Sequence, residues 1–330
     1  MNSFTYTEAA DTTAATAQLA GNLHAQFIAG GTNLLDLMKE NVARPNALID
    51  INKIIGLDQI STLPGGGLRL GALARNADTA YNELVEQQYP LLSKAILAGA
   101  SAQLRNMASN GGNLLQRTRC YYFYDVNTPC NKREPGSGCS AIGGYNRIHA
   151  ILGASESCIA VFPSDMCNAL AALEAVVNIT GPAGERAIPF ADFHRLPGDE
   201  PQFDNTLQHG ELITSIDLPE TGFNQNYAYL KLRDRTSYAF ALVAVATGLE
   251  LKDGVIAEAR IVCGGLAHKP WRKKEAEDFL KSKTPSRENF ETAAEMILEG
   301  AVGFKNNEFK IELARRAIIR NCLSAANFNK

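Results

Sequence analysis

The chain has 330 residues, 45% of them hydrophobic and 20% charged, with a formal charge of −3. This reads as an ordinary soluble globular protein of about two or three domains, and the near-neutral balance gives no electrostatic reason to bind nucleic acid. The longest unbroken apolar run, Tyr238–Ala246, has nine residues, far short of the ~20 that span a bilayer.

Residues 1–57 are expected to run strand, helix, strand, helix, strand. Leu23–Ala29 is an extended segment ending at Gly30-Gly31. Leu34–Asn41 has helical spacing with Leu34, Leu35, Leu37 and Met38 apolar, Pro45 stops it, and Ala47–Ile51 is a short buried strand. Pro64-Gly65-Gly66-Gly67 reads as a turn at a subdomain boundary. Leu68–Leu73 follows as a strand, with Asn76 and Asp78 offering capping chemistry to a helix over Ala77–Glu86. A helix over Leu91–Ala98 leads to the loop Ser109-Asn110-Gly111-Gly112-Asn113.

From 116 to about 158 the pattern breaks. The stretch RTRCYYFYDVNTPCNKREPGSGCSAIGGYNR has no helix or strand period, yet Tyr121, Tyr122, Phe123 and Tyr124 argue against disorder. It reads as an insertion that needs something else to hold it together. Regular structure returns at Cys158–Phe162. Pro163-Ser164-Asp165 then starts a helix over about Met166–Glu174. Strands are expected at Val176–Thr180 and Leu212–Leu218, with a turn at Gly181–Gly184. A third unit starts near Thr221. In it Ala239–Leu251 and Val255–Cys263 flank Asp253-Gly254, a hairpin signal. After Trp271 the chain turns helical, with Thr284 and Pro285 as N-cap and first-turn proline. Ile311, Ala314, Ile318, Cys322 and Ala325 line one face of the last helix, leaving Arg315 and Arg316 to solvent.

Two loops carry the first chemical signal. FIAGGTNLL sets two glycines between a strand and a helix, where successive N–H groups can turn toward an anion and the helix start adds its dipole. SNGGN at 109–113 is a second loop of this kind, and the pair suits a pyrophosphate held from both sides. Two unrelated tight turns would give the same pattern. Neither loop is a GxGxxG fingerprint, so no Rossmann site is indicated.

The second signal is cysteine. Of seven, five lie between Cys120 and Cys167. The N-terminus MNSFTYTEAADTTAATAQLAGN has no basic n-region and no apolar h-region, so no secretory signal is expected on this chain. With an odd count, that argues against a disulfide framework and for metal or redox chemistry. The spacings Cys120-x9-Cys130-x8-Cys139-x18-Cys158 lack the short pair usual for zinc. Buried free thiols account for Cys263 and Cys322 but fit badly with cysteines in a polar, glycine-rich insertion. Arg117, Arg119, Lys132, Arg133 and Arg147 outnumber Asp125 and Glu134 there, which suits a negatively charged iron–sulfur centre. A solvated loop with surface arginines has the same composition. His24, His149, His194, His209 and His268 form no ligand spacing.

AGGTNLLDLM (29–38), Gln103-x-Arg105-Asn106, the SNGGN loop and Pro163-Ser164-Asp165-Met166 occur together in an order that resembles one family. It is the FAD-binding flavoprotein subunit of molybdenum hydroxylases, the xanthine and carbon monoxide dehydrogenase family. NLLQRTRC (113–120), PCNKREPGSGC (129–139) and RDRTSYAFAL (233–242) resemble most closely the flavoprotein subunit of periplasmic aldehyde oxidoreductases, a subgroup with a cysteine-bearing insertion.

The resemblance implies an α+β chain with a PCMH-type, vanillyl-alcohol-oxidase-like FAD-binding fold in two subdomains, 1–57 and 58–220. A C-terminal α+β domain with an antiparallel sheet and helices would cover 221–330. FAD would lie extended, its pyrophosphate wrapped by Phe27, Ile28, Ala29, Gly30, Gly31, Thr32, Asn33 and Leu34. Ser109, Gly111, Gly112 and Asn113 would close on it from the other loop. Asp165 would bind the ribose or adenine end, Ile213 would pack on the isoalloxazine and Lys231 would approach the flavin ring. Read without the resemblance, Asp165 suits a helix cap, Ile213 a core position and Lys231 a solvated surface.

The same resemblance selects Cys120, Cys130, Cys139 and Cys158 as ligands of a 4Fe-4S cluster, with Cys167 packed in a helix. No catalytic residue is expected on this chain. One partner subunit would hold the molybdenum cofactor and oxidise an aldehyde to an acid, and a second would hold 2Fe-2S clusters. Electrons would leave through FAD here to an external acceptor. A periplasmic home by co-export with a signal-bearing partner is the matching expectation. The alternatives are the same role in a xanthine or N-heterocycle, carbon monoxide or aromatic acyl-CoA enzyme, or a non-flavin scaffold with structural zinc.

Overall fold

The computed structural model describes residues 1–220 and 222–327. The expected start of the third unit, Thr221, lies outside the described residues. Three sheets follow one another along the chain. The first is parallel, with β1 (Thr5–Glu8), β2 (Ala25–Ile28) and β3 (Ala47–Asp50) in the order β1-β3-β2. Its crossover helices are Thr12–Ala20, capped by the Asp11 carboxylate, and Leu34–Lys39.

The second sheet is antiparallel. It contains β4 (Ile60–Thr62), β5 (Leu68–Gly71), β6 (Val176–Gly181), β7 (Gly184–Pro189) and β8 (Leu212–Leu218), in the order β4-β5-β8-β6-β7. Pro64-Gly65-Gly66-Gly67 therefore joins two strands of one sheet and marks no boundary. The expected helix over Ala77–Glu86 is two helices, Asn76–Ala80 and Glu83–Gln88. The break falls at Asn82, whose side chain accepts from the Leu84 and Val85 amides and starts a new helix.

The third sheet holds β9 (Asn226–Leu232), β10 (Val243–Lys252), β11 (Val255–Gly264) and β12 (Trp271–Arg272), all antiparallel in the order β12-β11-β10-β9. Asp253-Gly254 turns β10 into β11 as the sequence predicts. Side chains alternate between two cores. Val245 and Cys263 face helices Arg287–Leu298 and Phe309–Ala325, while Ala246 and Val262 face the middle unit. A strand buried on both faces reads as a continuous apolar run, which explains the valine- and alanine-rich segment. The strand starts at Val243, later than the Ala239 expected, and 239–242 leave the sheet. Ser286, with its side chain accepting from the Asn289 amide, caps the helix at 287 in place of Thr284. No described helix is long and apolar enough to cross a membrane.

The insertion is nearly devoid of regular structure. It holds two single helical turns, Tyr121–Tyr124 and Ser140–Gly143, and two antiparallel bridges, Cys130 to Cys139 and Ser155 to Cys158.

Candidate functional site

The two glycine loops meet. Gly31 has φ +69°, and a Cβ placed on Gly30 would lie 1.9 Å from the Met107 carbonyl oxygen. Only a residue without a side chain lets these backbones touch. Two side chains bracket the contact. Asn52 Nδ2 donates to the Ala29 carbonyl (3.0 Å), and Arg75 donates to the Met107 carbonyl (2.6 Å) and to Asn52 Oδ1 (3.3 Å). The backbone N–H groups of Gly30, Gly31, Thr32 and Asn33 have no acceptor among the described residues. Four consecutive open amides of this kind are an anion cradle.

The second loop is used differently. Ser109 Oγ accepts from the Gly112 amide and caps the turn 110–114, while the Gly111 amide donates to the Ala72 carbonyl (2.8 Å). Asn110 points inward, bonded to Asn76, Thr79 and Gly71.

Beside the loops runs a cleft of about 650 Å³ lined from all three units. Of the expected flavin residues, Thr32, Asn33, Gly112, Asn113, Asp165 and Lys231 line it. Phe27 and Ala29 pack toward the core of the first unit, Ile28 ends β2, and Gly30, Gly31 and Leu34 flank the lining. Ser109 and Gly111 are buried behind it, and Ile213 is 3% exposed in the core of the middle sheet.

Asp165 does not cap its helix. Ser164 does, with its side chain accepting from the Cys167 amide, and Asp165 is free to turn to the cleft. Its carboxylate accepts from Lys231 Nζ (2.6 Å) and Tyr229 OH (2.6 Å), and Lys231 also reaches the Ala98 carbonyl. Both charged side chains are almost fully buried. Burial and the facing Asp165 push the Tyr229 phenol well above its ordinary range. A salt-bridged pair stands at one place, so Asp165 and Lys231 cannot serve opposite ends of an extended dinucleotide. They stand together at one place in the cleft wall. Sequence reasoning missed Tyr229 and the bracket Asn52 and Arg75, which carry no motif. It read Asn76 only as a capping residue, whereas Asn76 Oδ1 accepts from Asn113 Nδ2 (2.7 Å) at the cleft wall.

Cys120, Cys130, Cys139 and Cys158 line a single cavity in the insertion, together with Phe123, Ala160 and the fully buried Lys132. Stretches of 9, 8 and 18 intervening residues thus fold round one space; the donors are all soft sulfur, and the Ala160 amide donates to Cys158 Sγ (3.4 Å). These residues fit an iron–sulfur group in donor chemistry and surroundings. No group of three His, Cys, Asp or Glu side chains among the described residues is placed to hold a metal ion. Burial pushes Cys120 up to about 12, and pushes Cys158 up to about 11 against the pull of Lys132. As free thiols neither is a nucleophile at neutral pH. Cys167, Cys263 and Cys322 are fully buried packing residues elsewhere.

The excess cations of the insertion are neutralised from outside it. Arg119 pairs with Asp36, Arg147 with Asp234, and Arg117 and Lys132 both with Asp204. Arg133 instead donates to the carbonyls of Tyr122, Phe123 and Thr128. Burial alone would raise the Asp204 carboxyl, but Arg117, Lys132 and His268 outweigh it and hold it well below the carboxylate range. The Arg117 amide also donates to Asn33 Oδ1 (2.7 Å), tying the insertion to the first glycine loop.

A cleft lined from three units, with open amides at one side, suits an extended anionic ligand such as a dinucleotide. Residues 2–221 match the FAD binding domain in molybdopterin dehydrogenase, and residues 227–324 match the CO dehydrogenase flavoprotein C-terminal domain. The chain belongs to the FAD-binding subunits of the molybdenum hydroxylases and is an oxidoreductase subunit. It is 48% identical over 320 residues to the aldehyde oxidoreductase FAD-binding subunit PaoB of Escherichia coli K12, covering 96% of each chain. It is 28% identical to the glyceraldehyde dehydrogenase medium chain of Sulfolobus acidocaldarius, covering 85% of this chain and 82% of that one. Carbon monoxide dehydrogenase from Hydrogenophaga pseudoflava shares the fold, with a TM-score of 0.78 over 99% of this chain and 98% of that one at 23% identity. The two-subdomain FAD-binding fold with a C-terminal α+β domain is therefore the architecture, and the non-flavin alternative is dropped.

Proposed function

We propose that this chain is the electron-output subunit of a heterotrimeric molybdenum aldehyde oxidoreductase that converts an aldehyde to a carboxylic acid. One partner would hold the molybdenum cofactor and the other 2Fe-2S clusters. The reading is carried by the cleft at which the open amides of residues 30–33 meet the 109–113 loop, in a chain 48% identical to an aldehyde oxidoreductase FAD-binding subunit. FAD held there would exchange electrons between the partner's clusters and an external acceptor. The amides of Gly30 to Asn33 would meet the pyrophosphate. Gly112 and Asn113 would close the far wall, with Asn113 fixed by Asn76 and Ser164. The Lys231–Asp165 pair would present fixed donors and acceptors at one end without adding net charge.

We further propose that Cys120, Cys130, Cys139 and Cys158 hold a 4Fe-4S cluster and that the complex is exported to the periplasm with a signal-bearing partner. The four thiols lining one cavity support the first. Purification with the partner subunits, followed by flavin and iron analysis and turnover with aldehydes, tests the set. Bound FAD, bound iron and aldehyde oxidation with an artificial acceptor are expected. A complex active on a purine or carbon monoxide but not on aldehydes sinks the substrate assignment. Full iron in Cys139→Ser, or lost iron in Cys167→Ser, sinks the ligand set. Activity confined to the cytoplasmic fraction sinks the localisation.

A further inference from the structure

We propose that His149 is a positioning residue for the cluster: its Nε2–H donates to Cys120 Sγ and raises the reduction potential of the iron–sulfur centre. The inference rests on the four-cysteine reading above. His149 Nε2 stands 3.1 Å from Cys120 Sγ, and the residue is 1% exposed. A thiolate bound to iron has no proton to give. The ring nitrogen must then be the donor, which fixes the proton on Nε2. Nδ1 has no partner among the described residues, so Cys120 takes the ring's one polar contact there.

The ring is held in place from its own backbone. The His149 amide donates to the Asn146 carbonyl (3.0 Å). Its carbonyl accepts from Asn307 Nδ2 (3.1 Å) and from Lys310 Nζ (2.8 Å). Lys310 is itself fully buried and also donates to the Gly265 carbonyl, so the last helix of the C-terminal unit clamps the end of the insertion. The rings of Tyr121 and Tyr122 flank the imidazole, each at 6.4 Å between centroids. Among the described residues, Cys120 alone of the four cysteines has a side-chain hydrogen bond to its sulfur. Such a bond strengthens as the sulfur gains negative charge, so it favours the reduced cluster.

The test uses the full chain purified with its partner subunits, with iron analysis and a potentiometric titration followed by electron paramagnetic resonance. His149→Phe keeps the ring volume and loses the donor; His149→Gln keeps an N–H donor. With iron retained, His149→Phe is expected to lower the reduced-to-oxidised ratio at a fixed potential about tenfold, a shift of about 59 mV for one electron, and His149→Gln to recover part of it. A second measurement needs no variant: wild-type protein labelled with 15N-histidine should show a weak nitrogen coupling to the reduced cluster. Unchanged potential in an iron-replete His149→Phe overturns the proposal, as does the absence of that coupling or a coupling as large as that of a directly bound nitrogen. Wild-type protein without iron overturns the four-cysteine reading and this inference with it; iron with an unmoved potential overturns this inference alone.

Discussion

Gly30 shows what a single residue contributes to the proposed flavin site. Its missing Cβ is the space that the Met107 carbonyl occupies, at 1.9 Å from where that atom would stand. Gly30→Ala must push the two loops apart and misalign the open amides. We expect purified Gly30→Ala to lose most of its FAD, read as flavin absorbance per chain. Gly65→Ala, where a Cβ meets nothing within 4 Å, should keep wild-type flavin. Full flavin in Gly30→Ala would falsify the cradle. At this scale the loops were legible because backbone closeness demands glycine, and glycine is visible. The partners were not. Lys231 suits a surface by type, yet it is buried on Asp165 because β9 and the helix Asp165–Ala172 pack together through Tyr229 and Asn168.

The insertion is an element that side-chain pairing holds against the core. Lys132 reaches Asp204 Oδ1 and the Pro201 carbonyl, both at 2.6 Å, with its own side chain fully buried. Removing one partner strands the other charge, at a cost of about 3–5 kcal/mol. Lys132→Met and Asp204→Asn should therefore loosen 116–158, seen as faster hydrogen exchange and proteolysis there while β10 and β11 stay protected. The acid dependence has a definite sign. A carboxyl held below its ordinary value contributes stability that is fully present above about pH 3.9. That stability fades as the pH falls from there toward the depressed folded value. Asp204→Asn should flatten this acid limb of insertion protection; an unchanged limb would show that Asp204 carries none of it. Sequence composition showed the cations of the insertion but not the carboxylates that answer them, because Asp36, Asp204 and Asp234 lie outside it, dozens of positions away in the chain. Similarly, β7 and β9 went unread. The edge strand β7 is mostly exposed and polar, and β9 is half-buried along its length with no alternation.

In the whole molecule, the cleft exists only where the three sheets meet. Thr32 comes from the first unit, Asn113 and Asp165 from the second, and Lys231 and Leu242 from the third. A ligand in such a cleft stabilises all three by mass action, about 2.7 kcal/mol at a free concentration a hundredfold above its Kd. Flavin-stripped protein should melt at lower temperature than holoprotein, and its Tm should climb with added FAD. A Tm independent of FAD would mean that the flavin does not bridge the units.

The sequence by itself determined the strand–helix order of residues 1–57, the Asp253-Gly254 hairpin, the amphipathic last helix and the glycine loops. All of these depend on local backbone conformation, on side-chain periodicity or on short motifs. Tertiary structure decided which of those residues face one another. It put Ser109, Gly111 and Ile213 in the interior, joined Asp165 to Lys231, carried 239–242 out of the sheet and into the cleft wall, and set His149 against Cys120. Such contacts join residues far apart in the chain around the insertion: Arg117 to Asp204 and Arg147 to Asp234 are each 87 positions apart, and Lys310 to His149 is 161. They depend on how buried charges and thiols find partners after the sheets have packed, a choice that no local pattern encodes.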